Sequence, residues 1–383
     1  MRFDFIVLGA TGAQGRIVSR DLLESGYSVL LCGRDRSRVE HLIKKYNTRF
    51  EYIEGENVNQ LTQIIKNSKA GTVINCMEGD WNLNALNASI KAGVNSIDLG
   101  SDVPMTKDQL KLSSTLKRKD LIHITGCGSV PGIGNVMLRY SKSKFDKIKD
   151  IEVGFAWDSN IKTFVVPFSI QSIIEEFTAP APYVSHKKIV KVKPLDSIVT
   201  CYHKAIGREK QFKVGHHPET YTFFNFCRDK NIENVKFFAG FPEHSFQKIM
   251  DMIDLGFGRK DEVNFNGIKM RPVEFLTENL KYLKMPEGYK ETENLWVHLF
   301  GKKNGTEKLV KMECIASTLK GWEDAGCNVD TGMPASIIAQ MIKNNTIKEK
   351  GSFAPEEVVP PEPFFKELRK RKMRVYENGK QIN

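Results

Sequence analysis

The stretch Phe3–Leu23, FDFIVLGATGAQGRIVSRDLL, decides the fold. Its apolar run Phe5–Leu8 predicts a buried strand. Three glycines follow at GxxGxxG spacing, and the apolar positions after them recur at helical spacing: Ile17, Val18 and Leu22. The order strand, glycine turn, helix predicts the first unit of a doubly wound α/β domain.

The glycine turn has the features of a dinucleotide-binding loop. The first glycine allows a tight turn, the second lets a pyrophosphate approach the backbone, and the third lets the helix pack closely on the strand. The helix N-terminus then directs free N–H groups at the phosphates. We expect the cofactor to contact six loop residues: Gly9, Thr11, Gly12, Ala13, Gln14 and Gly15. Because GxxGxxG is less common than GxGxxG, a turn without a ligand is the alternative, and the flanking strand and helix favour the cofactor.

Length and charge set further limits. The chain has 383 residues, 40% of them hydrophobic, which is enough for two domains with ordinary cores. Lys and Arg outnumber Asp and Glu by 57 to 46, which gives a net charge of +11. This excess suits an anionic small molecule, such as a phosphorylated cofactor or an amino-dicarboxylate, and does not require nucleic acid.

Targeting signals and metal motifs are lacking in the sequence. No signal peptide precedes the first strand, and no apolar run approaches the roughly 20 residues of a membrane helix. Seven cysteines without a CxxC pair predict neither a disulfide framework nor a zinc site. The basic run Lys366–Arg374 lacks interleaved aromatic residues, so it predicts a solvated helix face. We expect a cytoplasmic protein with no metal, membrane or nucleic-acid partner.

The end of the second strand predicts the choice of cofactor. The run Ser28–Cys32 leads into Gly33, Arg34 and Asp35. At this place an acidic residue binds the ribose of NAD, whereas an Arg accommodates the 2′-phosphate of NADP. We expect Gly33 to leave room and Arg34 to bind NADP, with Arg36 or Arg38 assisting. Arg34 as one more solvated charge is the alternative, and Asp35 leaves NAD possible.

Strands and helices alternate through the first half of the chain, which predicts a parallel sheet with helices on both faces. Ligands of such sheets collect at the carboxyl ends of the strands. Asn75 and Cys76 lie at one such end, where the nicotinamide half of the cofactor should pass. Cys76 is equally well explained as a small core residue.

A carboxylate stands at the end of the next strand. Asp98 precedes Gly100 and the polar loop Ser101–Asp102, beside the expected cofactor crevice. It is our candidate catalytic residue, for binding an ammonium group or relaying a proton. A role in capping the next turn is the alternative. The glycine-rich segment Gly126–Asn135 follows a further strand and predicts backbone close to a ligand.

Three segments resemble the saccharopine dehydrogenase family in its broad sense, which includes lysine 6-dehydrogenase and carboxynorspermidine dehydrogenase. They are Gly9–Gly15, Ile97–Gly100, and Cys127–Asn135, which is similar to the family's CGxxPGxxN segment. A later resemblance begins at Asp330. The family implies a Rossmann domain, a C-terminal α+β domain for substrate binding and dimerisation, and NAD(P)-dependent chemistry at a carbon bearing nitrogen.

Differences between this sequence and the family's motifs limit the range of candidate substrates. The chain has Gly33 where NAD-dependent members keep an acidic residue, and Ser129–Val130 where saccharopine reductases carry the Asp of GxDPG. Saccharopine itself is therefore in doubt, and the segment is closer to the lysine 6-dehydrogenase pattern. By the resemblance we expect the substrate, an amino acid or polyamine, to contact Ser101, Gly128, Ser129 and Lys162.

In the second half of the chain the predicted strands and helices do not alternate but are segregated, as in an α+β domain. We place the Rossmann domain at residues 1–140, completed by about 320–383, and the substrate domain at 141–320. Residues 164–168 are expected to form a strand. Glu176, like Lys162, is a pocket group by resemblance or else a surface charge. His216 and His217 are adjacent, so on a strand they cannot form a metal pair, although one of them can serve as acid or base.

These observations predict an NADP-dependent oxidoreductase acting on the CH–NH group of an amino acid or polyamine, with a place in lysine or amino-acid metabolism. Reductive condensation of an amine with an aldehyde is a second interpretation. A non-catalytic NADP-binding sensor is a third. A homodimer is expected from the resemblance.

Overall fold

Two large β-sheets organise the chain in a computed structural model that describes residues 2–166, 169–215 and 217–383. The first sheet has seven parallel strands: β1 Phe5–Leu8, β2 Val29–Gly33, β3 Arg49–Tyr52, β4 Thr72–Asn75, β5 Asn95–Asp98, β6 Ile122–Ile124 and, late in the chain, Gly351–Phe353. Their spatial order is β3–β2–β1–β4–β5–β6, with residues 351–353 beside β6. This is the doubly wound order, whose switch point lies between β1 and β4.

Helices cover both faces of this sheet: α1 Ala13–Glu24, α2 Glu40–Tyr46, α3 Val58–Ser68, α4 Asn82–Ala92, α5 Val103–Lys111 and α6 Ser113–Arg118. The next helix, α7 Ile133–Lys142, packs on the second sheet. β1, β2 and β4 are buried along their whole length, since helices pack on both sides of a parallel sheet. The predicted α/β class and the alternation of elements are confirmed.

The second sheet has ten strands and is mostly antiparallel. Its strands are β7 Lys147–Ser159, β8 Ala181–Ser185, β9 Lys188–Val192, β10 Val199–His203, β11 Gly207–Lys213, β12 Asn234–Phe241, β15 Glu291–Lys303, β16 Thr306–Ser317, β18 Arg374–Glu377 and β19 Lys380–Gln381. Between β12 and β15 the chain forms a small hairpin, β13 Val263–Phe265 with β14 Ile268–Met270. The late strand Gly351–Phe353 of the first sheet is β17 in this numbering.

The remaining helices are α8 Ile170–Thr178, α9 Glu219–Phe226, α10 Glu243–Asp254, α11 Pro272–Leu280, α12 Val329–Lys343, α13 Pro355–Val358 and α14 Pro361–Lys370. α12 returns to the first domain and packs against α1. Its Ser336 Oγ donates to Asp21 Oδ2 at 2.5 Å, and Arg371 binds the same carboxylate through two donors at 2.8 Å. The expected return of the chain is therefore present.

Two details differ from the sequence predictions. Residues 164–166 have no strand structure, and Pro167 and Phe168, the rest of that expected strand, lie outside the described residues. The C-terminal segment is shared, because β17 joins the first sheet while β18 and β19 extend the second. The proposed boundaries at residues 140 and 320 stay a prediction. Within the described part of the chain, no helix has the length and apolarity to cross a membrane.

Candidate active site

The glycine loop between β1 and α1 is shaped as a phosphate cradle. A Cβ on Gly15 would stand 2.1 Å from the carbonyl oxygen of Gly9, so any larger residue would push the helix off the strand. A Cβ on Gly12 would be 3.3 Å from its nearest heavy atom, again Gly9 O, so the loop's surface is open above Gly12. No side chain caps α1, whose first N–H groups can therefore meet an anion. These residues fit a dinucleotide.

The loop is also tied to the C-terminal part of the chain. Gln14 Nε2 donates to Asn328 Oδ1 at 2.8 Å, just before α12 begins. Thr11 is buried and fills the space beside Gly33, where an added Cβ would stand 2.6 Å from its side chain. Gly33 therefore leaves room for Thr11, and the expected room for the ribose stays a prediction. Ala13 is exposed at the start of the helix.

The residues after β2 form a basic surface. Arg34 is exposed, as the expected contact with a 2′-phosphate requires. Asp35 accepts hydrogen bonds from the N–H and Oγ of Ser37, at 3.0 and 2.6 Å, which lower the pKa of its carboxyl. Its carboxylate thus caps the following turn, and this occupation favours NADP over NAD. Arg36 forms a salt bridge with Glu40 at 2.9 Å. Of the two residues expected to assist Arg34 in binding NADP, Arg38 therefore lacks this salt bridge.

A chain of amides joins the ends of β4 and β5. Asn75 Nδ2 donates to Asn82 Oδ1 at 2.8 Å, and Asn82 Nδ2 donates to the carbonyl of Gly100 at 3.1 Å. Asn75 Oδ1 accepts from Met77 N at 3.2 Å. Both the Nδ2 and the Oδ1 of Asn75 are therefore hydrogen-bonded within the protein, and Asn75 holds the wall of the crevice in position. Burial raises the pKa of the Cys76 thiol well above its usual range, which agrees with the core interpretation of Cys76.

Asp98 is a buried structural group. It is 1% exposed, and its carboxylate accepts from Gly100 N, Gly126 N, Thr125 Oγ1 and Gln109 Nε2 at 2.5 to 3.0 Å. It lies behind the cavity wall and is not among the residues that line the cavity. Its expected role as the catalytic residue is corrected: four donors already hold its oxygens, so Asp98 positions Gly100 and Gly126, as the capping alternative implied.

The segment Gly126–Asn135 makes a tight loop under the cavity. Gly132 has φ +137°, and a Cβ there would stand 1.8 Å from the carbonyl oxygen of Gly128, so only glycine fits. Asn135 Oδ1 accepts from Gly132 N at 2.7 Å, and its Nδ2 donates to Glu356 Oε2 at 2.6 Å. Burial raises the pKa of Glu356 to about 7. This loop presents Ser129 and Pro131 to the cavity.

The main cavity lies between the two sheets and has a volume of about 680 Å³. Gln14, Ser101 and Ser129 line it on the cofactor side, and Phe155 and Trp157 of β7 line it on the other. Eight carboxyl side chains also line it: Glu78, Asp80, Asp102, Glu175, Glu176, Glu291, Glu293 and Asp330. None of its described lining residues is a Lys or Arg. The cavity is therefore acidic although the whole chain is basic.

His217 lies in the same cavity, in the loop before α9 and not on a strand. Its ring stacks on Phe237 with centroids 3.6 Å apart. Its Nε2 is 3.6 Å from Glu176 Oε1, and its Nδ1 is 3.8 Å from Glu219 Oε2. Glu219 is fully buried, and burial raises its pKa to about 7. His217 remains a possible acid or base, while His216 lies outside the described residues.

The expected substrate residues divide into three groups. Ser101 and Ser129 line the cavity, and Ser129 Oγ accepts from Thr331 Oγ1 at 3.2 Å. Gly128 supports the loop from below, because a Cβ there would be 3.1 Å from the Thr331 methyl group. Lys162 is 57% exposed in its side chain, pairs with Asp158 and is absent from the cavity lining. Its expected substrate contact is corrected for that reason.

Two carboxyls that our sequence analysis did not name as site residues are central here. Glu293 on β15 and Asp330 in the first turn of α12 both line the cavity. Glu291, Glu293 and Leu295 occupy every second position of β15 and so share one face, a pattern that a period of two would have shown. Asp330 begins the late segment of family resemblance, but the sequence does not reveal which cavity it enters.

Comparisons with known proteins agree with this arrangement. Residues 5–130 match the family model "Saccharopine dehydrogenase NADP binding domain", and residues 128–373 match "Saccharopine dehydrogenase C-terminal domain". A carboxyaminopropylagmatine dehydrogenase of Synechocystis sp. is 23% identical over 95% of this chain and 94% of its own. The solved apo saccharopine dehydrogenase (L-Glu forming) of Saccharomyces cerevisiae superposes with a TM-score of 0.77, at 14% identity and over 100% of both chains.

Proposed function

The chain belongs to the saccharopine dehydrogenase family, as an NADP-binding oxidoreductase acting on CH–NH substrates, and we propose that its substrate is a cationic, polyamine-type amine. One observation carries the proposal: the cavity is lined by eight carboxyl groups and, among its described residues, by no Lys or Arg. Such a field attracts a substrate with several positive charges and repels a dicarboxylate. The amino-dicarboxylate suggested by the net charge of the whole chain is therefore set aside.

The similarity to a carboxyaminopropylagmatine dehydrogenase supports the same class, since that name specifies a substrate built on the polyamine precursor agmatine. Bound NADP would accept or supply the hydride at the carbon attached to nitrogen. The chain would hold its pyrophosphate at Gly12 and its 2′-phosphate at Arg34. The substrate's ammonium or guanidinium groups would bind the cavity carboxylates, with Ser101 and Ser129 as polar contacts near the cofactor side.

The test follows NADPH absorbance of the purified protein with NADP and then NAD. Oxidation is tried with carboxyaminopropylagmatine, spermidine, lysine and saccharopine. The reverse reaction is tried with agmatine or a diamine plus an amino-acid semialdehyde. We expect turnover with NADP and an agmatine- or polyamine-type substrate, in one direction or the other. A need for both amine and aldehyde identifies reductive condensation. Turnover of saccharopine in preference to every polyamine would refute the proposed class, and NADPH binding without any turnover would favour the sensor.

A charge variant sharpens this test. Glu176 lies in the cavity wall, and Glu176→Gln should raise the KM for a polycationic amine about tenfold, the usual effect of losing one charged contact. Glu243→Gln is the matched control, because Glu243 is an exposed carboxylate that pairs with Lys210 outside the cavity. Equal KM values for the two variants would contradict a role of the acidic wall.

We also propose that the chain forms a homodimer in the cytoplasm and works in amino-acid or lysine-related metabolism. The family resemblance supports the dimer, and the seven cysteines, all unpaired, suit a reducing compartment. Light scattering at micromolar concentration measures whether the chain is a dimer. A monomer at all concentrations would overturn it.

A further inference from the structure

Glu293 and Asp330 form a pair of facing carboxyls in the wall of the main cavity. Glu293 comes from β15 and Asp330 from the first turn of α12, and the two side chains lie within hydrogen-bonding range of each other when one is protonated. Asp330 is 1% exposed. Its Oδ1 accepts from Thr331 Oγ1 at 3.3 Å, while no N–H or O–H donor among the described residues reaches its Oδ2. The pair is therefore built to hold a proton of its own.

Two carboxyls this close, with Asp330 buried and Glu293 half-buried, do not ionise together. Burial, with the charge of Asp330, raises the pKa of Glu293 well above its usual value, and burial raises the pKa of Asp330 to about 7. Glu291 adds negative charge nearby, Glu209 is a further buried carboxyl, and the thiols of Cys314 on β16 and Cys327 in the turn before α12 lie near the pair. Near neutral pH the pair thus holds one proton and one negative charge.

The pair lies between the cofactor loop and the cavity. Asn328, two residues before Asp330, accepts the hydrogen bond from Gln14 of that loop at 2.8 Å. Thr331, the next residue, donates to Ser129 at 3.2 Å. A Cβ on Gly332 would stand 2.5 Å from Ile17 of α1, so the start of α12 is held closely against the cofactor helix. A substrate nitrogen presented to the nicotinamide side of the cavity therefore meets this pair.

We propose that Glu293 and Asp330 act as one acid–base pair in the reaction at the C–N bond. This inference rests on the proposed function. In the oxidative direction the singly protonated pair removes one N–H proton from the substrate's ammonium group, and the N–H electrons remain on nitrogen as a lone pair. That lone pair forms the C=N bond of an iminium ion as the hydride leaves carbon with two electrons for NADP. The pair, now doubly protonated, releases its proton afterwards; reduction runs the same steps backwards.

Neighbouring groups are less suited to this role. Glu291 Oε2 already accepts from Cys327 N at 2.9 Å. Glu209 is a buried carboxyl for which no side-chain donor is found in the described part of the chain, and it does not line the cavity. His217 lines the cavity with its ring stacked on Phe237 and a carboxylate on each side, and it is the rival that the experiment must test.

The experiment compares Asp330→Asn, Glu293→Gln and His217→Gln with the wild type over pH 6 to 10. Loss of a general acid or base lowers rates by about 10²- to 10⁴-fold. We expect that loss in kcat for Asp330→Asn and Glu293→Gln, with KM changed less than about threefold and with the pH dependence of kcat near neutrality abolished. NADPH binding, measured by fluorescence, should stay within about twofold of the wild type. Glu209→Gln is the control for removing a buried carboxyl, since burial raises the pKa of Glu209 to about 9 and the group is already neutral at pH 7.

Two kinetic results would overturn the inference. If KM rises and kcat is unchanged, the pair only binds the substrate's cation. If only His217→Gln abolishes the pH dependence, the histidine is the acid or base. The shared proton has its own test, which needs no turnover: infrared difference spectra of the cofactor-free protein between pH 5 and 9. The protonated-carboxyl signal lost near pH 7 must be smaller in both pair variants than in Glu209→Gln. An equal signal refutes the pair even if the protein turns over no polyamine.

Discussion

The side chain of Asn135 bonds the carboxyl of Glu356 at 2.6 Å, across 221 positions of the chain. The same Asn135 accepts from the N–H of Gly132 at 2.7 Å and so fixes the loop that presents Ser129 and Pro131 to the cavity. Both partners are fully buried, which makes the amide's two bonds costly to lose. The C-terminal segment thus holds the floor of the active-site cavity in place.

Asn135→Ala should therefore weaken both the fold and the site. Leaving the Glu356 carboxyl and the Gly132 N–H without partners costs about 1–3 kcal/mol each, so we expect a loss of at least about 2 kcal/mol in unfolding free energy. Denaturant unfolding measures it. Asn67→Ala, an exposed position on α3, is the control and should change stability by less than about 0.5 kcal/mol. Unchanged stability of Asn135→Ala would contradict the role of this bond.

Gly12→Ala should impair cofactor binding without preventing folding. A Cβ there meets nothing closer than 3.3 Å in the protein, but it projects from the loop where the pyrophosphate approaches. We expect the Kd for NADPH to rise about tenfold or more, as measured by fluorescence titration. Gly71→Ala, where an added Cβ has no neighbour within 4 Å, should bind NADPH like the wild type.

Arg34→Ala tests the cofactor choice. A charged hydrogen bond to a phosphate contributes about 1.5–3 kcal/mol, so kcat/KM for NADP should fall by about tenfold to a hundredfold. The value for NAD, which lacks the phosphate, should hardly change. Arg36→Ala is a matched control, because Arg36 already pairs with Glu40. Equal losses with both cofactors would assign Arg34 to something other than the 2′-phosphate.

Asp98→Asn should behave as a stability variant. The amide would place an NH₂ group among four donors that now point at carboxylate oxygens, including Gly126 N and Gln109 Nε2. We expect a loss of about 1–3 kcal/mol in unfolding free energy, seen as a lower midpoint in urea. A protein of normal stability that binds NADPH but has lost turnover would restore Asp98 as a catalytic residue.

Buried carboxyls make the stability depend on pH. Burial raises the pKa of Glu209 to about 9, above its value in the unfolded chain. A raised carboxyl pKa means that the protonated folded form is favoured, so this stability is fully present below about pH 4.5 and is lost as pH rises towards 9. Relative to the wild type, Glu209→Gln should become more stable between pH 5 and pH 9. A stability difference that stays constant over this range, measured by denaturant unfolding, would contradict the shifted pKa.

The sequence by itself determined the first domain. The strand Phe5–Leu8, the GxxGxxG turn and the apolar spacing of α1 are local patterns, and each specifies one element without help from the rest of the chain. The alternation that follows then predicts a parallel sheet with helices on both faces, because parallel strands need crossover helices of fixed hand. Two further segments were identified by the family resemblance: the glycine loop that contains Gly132 and the late segment that begins at Asp330.

Only the tertiary structure decided the active-site cavity. The sequence places Asp98 at a strand end, but whether its oxygens meet solvent or four donors depends on Gln109, Thr125 and Gly126, which other elements bring there. Lys162 and Glu293 are both charged residues of the second domain, yet one lies outside the cavity and the other in its wall. Burial and charge at a site are sums over neighbours distant in sequence, so the acidic cavity and the Glu293–Asp330 contact exist only once both sheets are assembled.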